Sequence, residues 1–340
     1  MRKSPRRRID RARVRVLIVK LSSLGDVVHT MPVVHDIRSA HPDALIDWVV
    51  EPAFAPLVRR VQGIRSSIEC AQRRWRKAWW TREVRNERRM FRDALRGDRY
   101  DAIIDFQGLT KSALVARMAR GPTYGLANRT EGSSHEWPAR WLIDHSIEVE
   151  PRIHALDRAR VLASRVLGHE VRGAPRFGLR SQALDATDRT MVFVHGSSRD
   201  DKLWPEAHWI ELGRHVIGTG WRIALPHADP VERERAERIA AAIGPTCEVW
   251  PAMSLDALTD RMGAAHGVIG VDSGLSHIAV ALDLPHVQLY NFPTSWRTGP
   301  LVAHGHSHQV SIEGEPHPGV DTVWSAWRQV WAQFQNTEQG

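Results

Sequence analysis

Residues 14–32 read VRVLIVKLSSLGDVVHTMP, and the reading of this stretch decides the fold. Positions 14–19 are apolar and mostly β-branched, interrupted only by Arg15. A run apolar on both faces predicts a strand covered on both sides, as in a parallel sheet. The run stops at Lys20, passes through Ser22, Ser23 and Gly25, and gives way to apolar residues at helical spacing from Val27 to Ala40. Strand, short turn and helix open a βαβ unit. The turn has no second glycine, which excludes the G-x-G-x-x-G fingerprint of dinucleotide binding. Asp26 falls at or near the helix N-terminus. Spacing alone favours a helix cap over a functional carboxylate.

Outward from this stretch the alternation continues. Strands are expected at 44–50, 67–71 and 100–106, with helices at 53–61, 77–96, 110–119 and 153–167. Periodicity lapses over 173–189, where Gly173, Pro175 and Gly178 mark a linker. It resumes with strands at 191–194, 221–225, 246–250, 268–271 and 286–290. Helices are expected at 205–217, 231–243, 255–264 and 275–282, with a last one at 320–334. The chain therefore divides into a basic extension (1–13), an N-terminal α/β domain (14–178), a C-terminal α/β domain (190–319) and a C-terminal helix (320–336). Its 340 residues suffice for two domains with separate cores.

Composition narrows the class further. With 42% hydrophobic residues, 24 Gly and 19 Pro, the chain is neither collagen-like nor disordered throughout. Cys70 and Cys247 cannot make a disulfide framework, which favours a reducing compartment. No run of about 18 apolar residues could span a bilayer, and no apolar segment follows the basic start as in a secretion signal. A cytoplasmic protein is expected.

Charge is unevenly spread. Residues 1–180 hold 36 Lys and Arg against 20 Asp and Glu; residues 181–340 hold 11 against 19. Different partners for the two halves are implied. The densest stretch, 73–99, carries 11 basic and 4 acidic residues interleaved with Trp75, Trp79, Trp80 and Phe91. It reads either as a solvated helix, Glu83 and Glu87 pairing with neighbouring arginines, or as a site for an anionic surface or ligand. No zinc-finger spacing or RNP-type aromatic motif supports nucleic acid as the partner.

Four loops at expected strand ends carry chemistry, since backbone amides and helix N-termini gather there. The first is 20–30, with Asp26. The second, HGSSRDDKLWP at 195–205, offers Ser197, Ser198 and Lys202 as a phosphate cradle, although no Walker A loop is present. The third, GVDSGLSH at 270–277, delivers Asp272, Ser273 and Gly274 into a helix start, with His277 one turn on. It is not a G-x-S-x-G elbow. The fourth, DFQGLTKS at 105–112, presents Gln107 and Lys111. His304, His306 and His308 lack an acidic or cysteine ligand set and are expected to be solvent-exposed rather than to bind a metal.

Taken together, the motifs at 16–32, 73–79, 105–112, 200–205 and 270–277 resemble the heptosyltransferases of glycosyltransferase family 9. The resemblance runs over nearly the whole chain from about residue 13. The basic-aromatic stretch RRWRKAW at 73–79 is similar to the branch that adds the first heptose. The resemblance implies a GT-B architecture, two doubly wound Rossmann-like domains facing across a cleft. It also implies inverting transfer of L-glycero-D-manno-heptose from ADP-heptose to the Kdo of Kdo2-lipid A, the first step of inner-core heptosylation. Under it, Asp26 is the general base. Ser197, Ser198 and Lys202 meet the donor diphosphate, Asp272, Ser273, Gly274 and His277 surround sugar and phosphate, and Glu232 and Met253 hold the adenosine. Arg73, Arg76, Lys77 and Gln107 meet the acceptor, a polyanion suited to the basic half. No cofactor or metal is implied, because Lys202 and a helix N-terminus can take the charge that the leaving ADP gains. The location implied is peripheral, on the cytoplasmic face of the inner membrane. The sequence departs from the family at Ser273, where a threonine is common, and at Tyr290-Asn291-Phe292-Pro293, where a Gly-Pro-Thr turn is usual. The competing readings are a later-acting heptosyltransferase of the same family and a non-catalytic binder of anionic surfaces or nucleic acid.

Overall fold

The computed structural model describes residues 13–182, 184, 189–305 and 307–338. The basic extension lies outside these residues except for Arg13, as do 183 and 185–188 of the expected linker. The chain forms two compact units, Met1–Gly178 and Leu179–Gly340.

The first unit runs β1 (Arg15–Val19), α1 (Leu24–Thr30), α2 (Pro32–Ala40), β2 (Leu45–Val50), α3 (Ala55–Arg59), β3 (Ile64–Glu69), α4 (Gln72–Lys77), α5 (Arg82–Gly97), β4 (Ala102–Asp105), α6 (Thr110–Met118), β5 (Thr123–Leu126), β6 (His145–Ile147) and α7 (Ala155–Leu167). Its sheet is wholly parallel, in the order β3-β2-β1-β4-β5-β6. Val16, Leu17, Ile18 and Val19 are fully buried, as a central strand covered on both faces requires.

The single helix expected over 27–40 is two. Pro32 has no N–H to continue the ladder, so α1 ends and Pro32 becomes the first residue of α2. The helix expected over 77–96 is also divided. Thr81 caps α5, its Oγ1 accepting from the Val84 amide at 3.2 Å. Glu87 on α5 then reaches back to α4, accepting from Trp75 Nε1 at 2.9 Å and pairing with Arg74. Its partner is thus a different helix, not a neighbour at helical spacing. A buried bidentate pair, Arg160 to Asp36 at 2.7 and 2.9 Å, joins α7 to α2.

The second unit runs β7 (Thr190–Val194), α8 (Glu206–Ile217), β8 (Arg222–Leu225), α9 (Pro230–Ile243), β9 (Cys247–Val249), α10 (Leu255–Gly263), β10 (Gly267–Val271), α11 (Gly274–Ala281), β11 (His286–Tyr290), α12 (Ser295–Thr298), β12 (Gln309–Glu313) and α13 (Val320–Glu338). Its parallel sheet has the order β12-β11-β10-β7-β8-β9, the winding of the first sheet repeated. The terminal helix belongs to this unit's core: Val320, Val323, Trp327 and Val330 pack with Trp221, Ile269 and Val287. Gly267 permits this, since a Cβ there would come within 2.0 Å of the Trp327 ring.

Two of the three histidines expected in solvent are not there, and His306 lies outside the described residues. His304 and His308 are buried, and His308 Nε2 lies 3.0 Å from the Asp283 carbonyl and 3.1 Å from its carboxylate. Burial of the β12 edge under α13 accounts for the His308 environment: its ring stacks edge-on against Phe334 of α13. Among the described residues no helix is long and apolar enough to cross a membrane.

Candidate active site

In each sheet the winding reverses beside the first strand: between β1 and β4 in one unit, between β7 and β10 in the other. Open α/β sheets bind ligands at the carboxyl ends of such strands. All four loops singled out in the sequence leave from them. The residue that closes or follows each apolar run is Lys20, Asp105, His195 or Asp272, and all four are buried. Only Asp272 among them was named as a site residue. The missed signal was available, because a titratable side chain ending a buried strand at a switch point is itself informative.

In the first unit, Asp26 occupies the third position of α1. Its Oδ2 accepts from the Ser23 amide at 3.2 Å and the Ser23 hydroxyl at 3.1 Å, so it does cap the helix. Its Oδ1 lies 3.2 Å from Lys20 Nζ. Lys20 is 4% exposed and Asp26 36%, so the carboxylate, not the ammonium, is presented to solvent. Burial pushes the Asp26 carboxyl up, but the Lys20 charge, with His29, the Ser23 amide and Arg158, outweighs it and holds the group well below the usual carboxylate range. Lys20 also donates to the Phe106 carbonyl at 3.3 Å. A pocket of about 10 Å³ beside Asp26, lined by Lys20, His29, Thr30 and Arg158, has room for about one water.

Gln107 is tied to the same loop. Its Oε1 accepts from the Leu21 and Ser22 amides at 3.0 and 3.2 Å. Asp105 in turn accepts from the Gln107 and Gly108 amides and from Ser112 Oγ, at 2.9, 3.3 and 2.9 Å. Burial pushes its carboxyl up to about 6. Arg73, Arg76 and Lys77 stand exposed on α4; Arg73 Nε lies 3.4 Å from Glu51.

The second unit holds the donor candidates on the loops that follow β7, β9 and β10 and on the first turns of α9 and α11. Lys202 Nζ lies 2.6 Å from Asp272 Oδ2, and His277 Nε2 lies 3.4 Å from Oδ1. Asp272 is 6% exposed and Lys202 22%, so here the ammonium is the member presented. Burial raises the Asp272 carboxyl, but the His277 hydrogen bond and charge and the Lys202 ammonium hold it far below its ordinary range. Ser197 Oγ approaches the Asp272 carbonyl at 3.5 Å, Ser273 Oγ is buried with no hydrogen-bond partner among the described residues, and Ser198 is exposed. Gly274 opens α11, whose N-terminal amides face the same loop.

Glu232 joins this group. Its Oε2 accepts from the Ala228 amide at 2.7 Å, and the carboxylate lies so close to Gly196 that a Cβ there would meet it at 2.3 Å. Met253 sits just before the Ser254 cap of α10, with no polar contact to the others. The divergent loop after β11 has a structural use: Asn291 Nδ2 donates to the Asp201 and Leu203 carbonyls at 2.9 and 3.0 Å, bracketing Lys202. Thr298 Oγ1 adds a 3.5 Å contact to Asp272.

Comparison with known proteins agrees with the resemblance. The family model for glycosyltransferase family 9 (heptosyltransferase) matches residues 88–318. Lipopolysaccharide heptosyltransferase 1 of Escherichia coli K12 is 41% identical over 285 residues, 82% of this chain and 88% of that protein. Lipopolysaccharide heptosyltransferase 2 of the same strain is 25% identical over 311 residues, 86% of each. The solved E. coli heptosyltransferase WaaC with ADP superimposes with a TM-score of 0.81 at 34% identity, covering 93% of this chain and all of that one. The same enzyme with ADP-2-deoxy-2-fluoro heptose gives 0.76 at 35% identity, covering 96% and 99%.

Two doubly wound units of this order and this likeness define a glycosyltransferase of the GT-B fold. The chain belongs to glycosyltransferase family 9, and is an enzyme that transfers heptosyl groups.

Proposed function

We propose that the chain transfers L-glycero-D-manno-heptose from ADP-heptose to a Kdo hydroxyl of Kdo2-lipid A, the first heptosylation of the lipopolysaccharide inner core. The observation that carries this is Asp26: an ionised carboxylate on the first turn of α1, in the loop region that follows β1, fixed by Ser23 and Lys20, with a third of its surface open. In an inverting transfer the acceptor oxygen attacks the anomeric carbon, the bond to the diphosphate breaks, and ADP leaves with the electron pair. The acceptor proton passes to Asp26. A sugar hydroxyl sheds its proton readily only once its oxygen bonds to carbon, so the base needs to be ionised and placed rather than strong.

The charge appearing on ADP is met by Lys202 and the α11 N-terminus, which supply stabilisation at the developing anion without a metal or cofactor. Asp272 repels a diphosphate and is read as the holder of Lys202 and His277. Ser197, Ser198, Ser273 and Gly274 line the phosphates, and Glu232 and Met253 the adenosine. Arg73, Arg76, Lys77 and the Gln107 amide take the carboxylates and phosphates of the acceptor. The greater identity to heptosyltransferase 1 than to heptosyltransferase 2 supports the first acceptor over a heptosylated one. Since the acceptor is a lipid, the enzyme works peripherally on the cytoplasmic face of the inner membrane, and nucleic acid is not a partner.

The test is one reaction: protein, ADP-heptose and deacylated Kdo2-lipid A, with ADP release and acceptor mass followed together. A gain of one heptosyl unit is expected. Transfer only to a heptosylated acceptor would move the enzyme one step along; no transfer to either would overturn the reading.

A further inference from the structure

Helices α4, α5 and α6 enclose a cavity of about 450 Å³, within the range of small-molecule sites, and of its lining the roles above use only Arg76. Its inner wall is apolar: Trp75, Phe91 and Val115 are buried, and Met118 lies partly covered beside them. Trp75 and Phe91 pack ring against ring at 5.1 Å. At the mouth, Trp79 and Leu114 are 62% and 49% exposed. Four cations surround this apolar wall: Arg76, Arg88, Arg92 and Lys111. Arg74 nearby is neutralised by Glu87, but among the described residues Arg76, Arg88 and Arg92 have no ion-pair partner.

A polar anion alone would leave the wall unused, and an uncharged apolar ligand would leave the cations unused. The occupant that satisfies both has a hydrocarbon chain and an anionic head. A second observation agrees. Six large hydrophobic side chains stand exposed on this unit between 79 and 141: Trp79, Trp80, Met90, Leu114, Trp137 and Trp141. The four tryptophans form two edge-to-face pairs, Trp79 with Trp80 and Trp137 with Trp141. Exposed tryptophan among arginine is the composition of a surface that seats at the boundary of a bilayer.

We propose that this cavity takes an acyl chain of an anionic bilayer lipid, with Arg76, Arg88, Arg92 and Lys111 around the lipid phosphate. This deepens the membrane-facing part of the reading above. It does not depend on which sugar is transferred.

The test uses the full chain with phosphatidylethanolamine–phosphatidylglycerol vesicles in a sedimentation assay, alongside turnover on the soluble deacylated acceptor. Leu114→Glu, at a half-exposed position, is expected to weaken vesicle binding roughly tenfold while leaving soluble turnover unchanged, because it removes an apolar wall and adds a charge repelled by the lipid phosphate. Phosphatidylglycerol brominated on its acyl chains is expected to quench wild-type tryptophan emission, and to quench Trp79→Phe less. Vesicle binding equal in wild type and Leu114→Glu would overturn the proposal, as would equal competition by glycerophosphoglycerol, which lacks acyl chains. Tighter binding to RNA than to vesicles would also overturn it. Vesicle binding lost in Leu114→Glu by a chain that transfers no heptose would uphold the cavity and sink the proposed function instead.

Discussion

Lys20 with Asp26 and Lys202 with Asp272 can be set side by side. Each pair sits at the switch point of one of two sheets wound alike, and in each the ammonium lies within 3.2 Å of a carboxylate oxygen. What differs is which member is buried. In the first unit the lysine ends a central strand and is covered, and the aspartate stands on the first turn of α1 in view of solvent. In the second unit the aspartate ends the central strand and is covered, and the lysine, on a loop, is the more exposed. One arrangement offers a base kept ionised by a hidden cation. The other offers a cation kept in place by a hidden acid. Under the proposed roles, burial order, not residue type, separates proton transfer from anion binding.

Removing the exposed member of each pair should break different steps. Asp26→Asn is expected to lower kcat by about a thousandfold, within the range for loss of a positioned general base, with donor affinity within about twofold of wild type. Lys202→Ala is expected to cost about ten- to a hundredfold, most of it in donor KM and in the step that expels ADP, as for a lost charged hydrogen bond. Donor titration by calorimetry beside steady-state rates separates the two. Equal donor defects in both variants would abolish the distinction between the pairs.

Removing the hidden member sharpens it. With Lys20 in place, Asp26 loses its proton well below the ordinary carboxylate range, so the rate should be insensitive to this group from about pH 5 upward. In Lys20→Met the largest effect opposing burial is gone, only His29, the Ser23 amide and Arg158 remain against it, and the Asp26 carboxyl moves up. Activity requires the ionised form, so the acid limb of the kcat/KM profile moves to higher pH and the variant recovers as pH increases. A profile unchanged in shape, merely lower, would mean that Lys20 serves only to hold the loop. A limb near pH 6 in both proteins would belong to Asp105.

How much of this was legible beforehand differs by element. The central strands were readable because burial on both faces leaves an unbroken apolar run, as at 16–19 and 268–271. The short outer strands β5, β6 and β12 were missed. Thr123–Leu126 and His145–Ile147 are four and three residues long and partly polar, so no period can establish itself. Helix breaks at Pro32 and Thr81 were written in the sequence but outweighed by apolar spacing that continues across them. At the site, Asp26, Lys202 and Asp272 sit in recognisable loops. Lys20 and Asn291 lie in stretches that were quoted, at 20–30 and 290–293, but their roles were not legible, because a pairing with a group 6 or about 90 residues away leaves no pattern at the residue itself.

Asn291 is the mildest test of the comparison. It holds the loop around Lys202 by two side-chain hydrogen bonds to the carbonyls of Asp201 and Leu203. Asn291→Ala gives up about 1 kcal/mol per bond at most, since water can reach a loop carbonyl that a buried one could not replace. Lys202 keeps Asp272 as its anchor, so its ammonium should stay near the diphosphate but wander more. The expected result is a donor KM three- to tenfold higher by the same arithmetic, kcat within about twofold, and a Tm lower by a few degrees. A fall in kcat comparable to that of Lys202→Ala would show that the loop, not the buried carboxylate, sets the ammonium, and the parallel between the two pairs would then hold in sequence position alone.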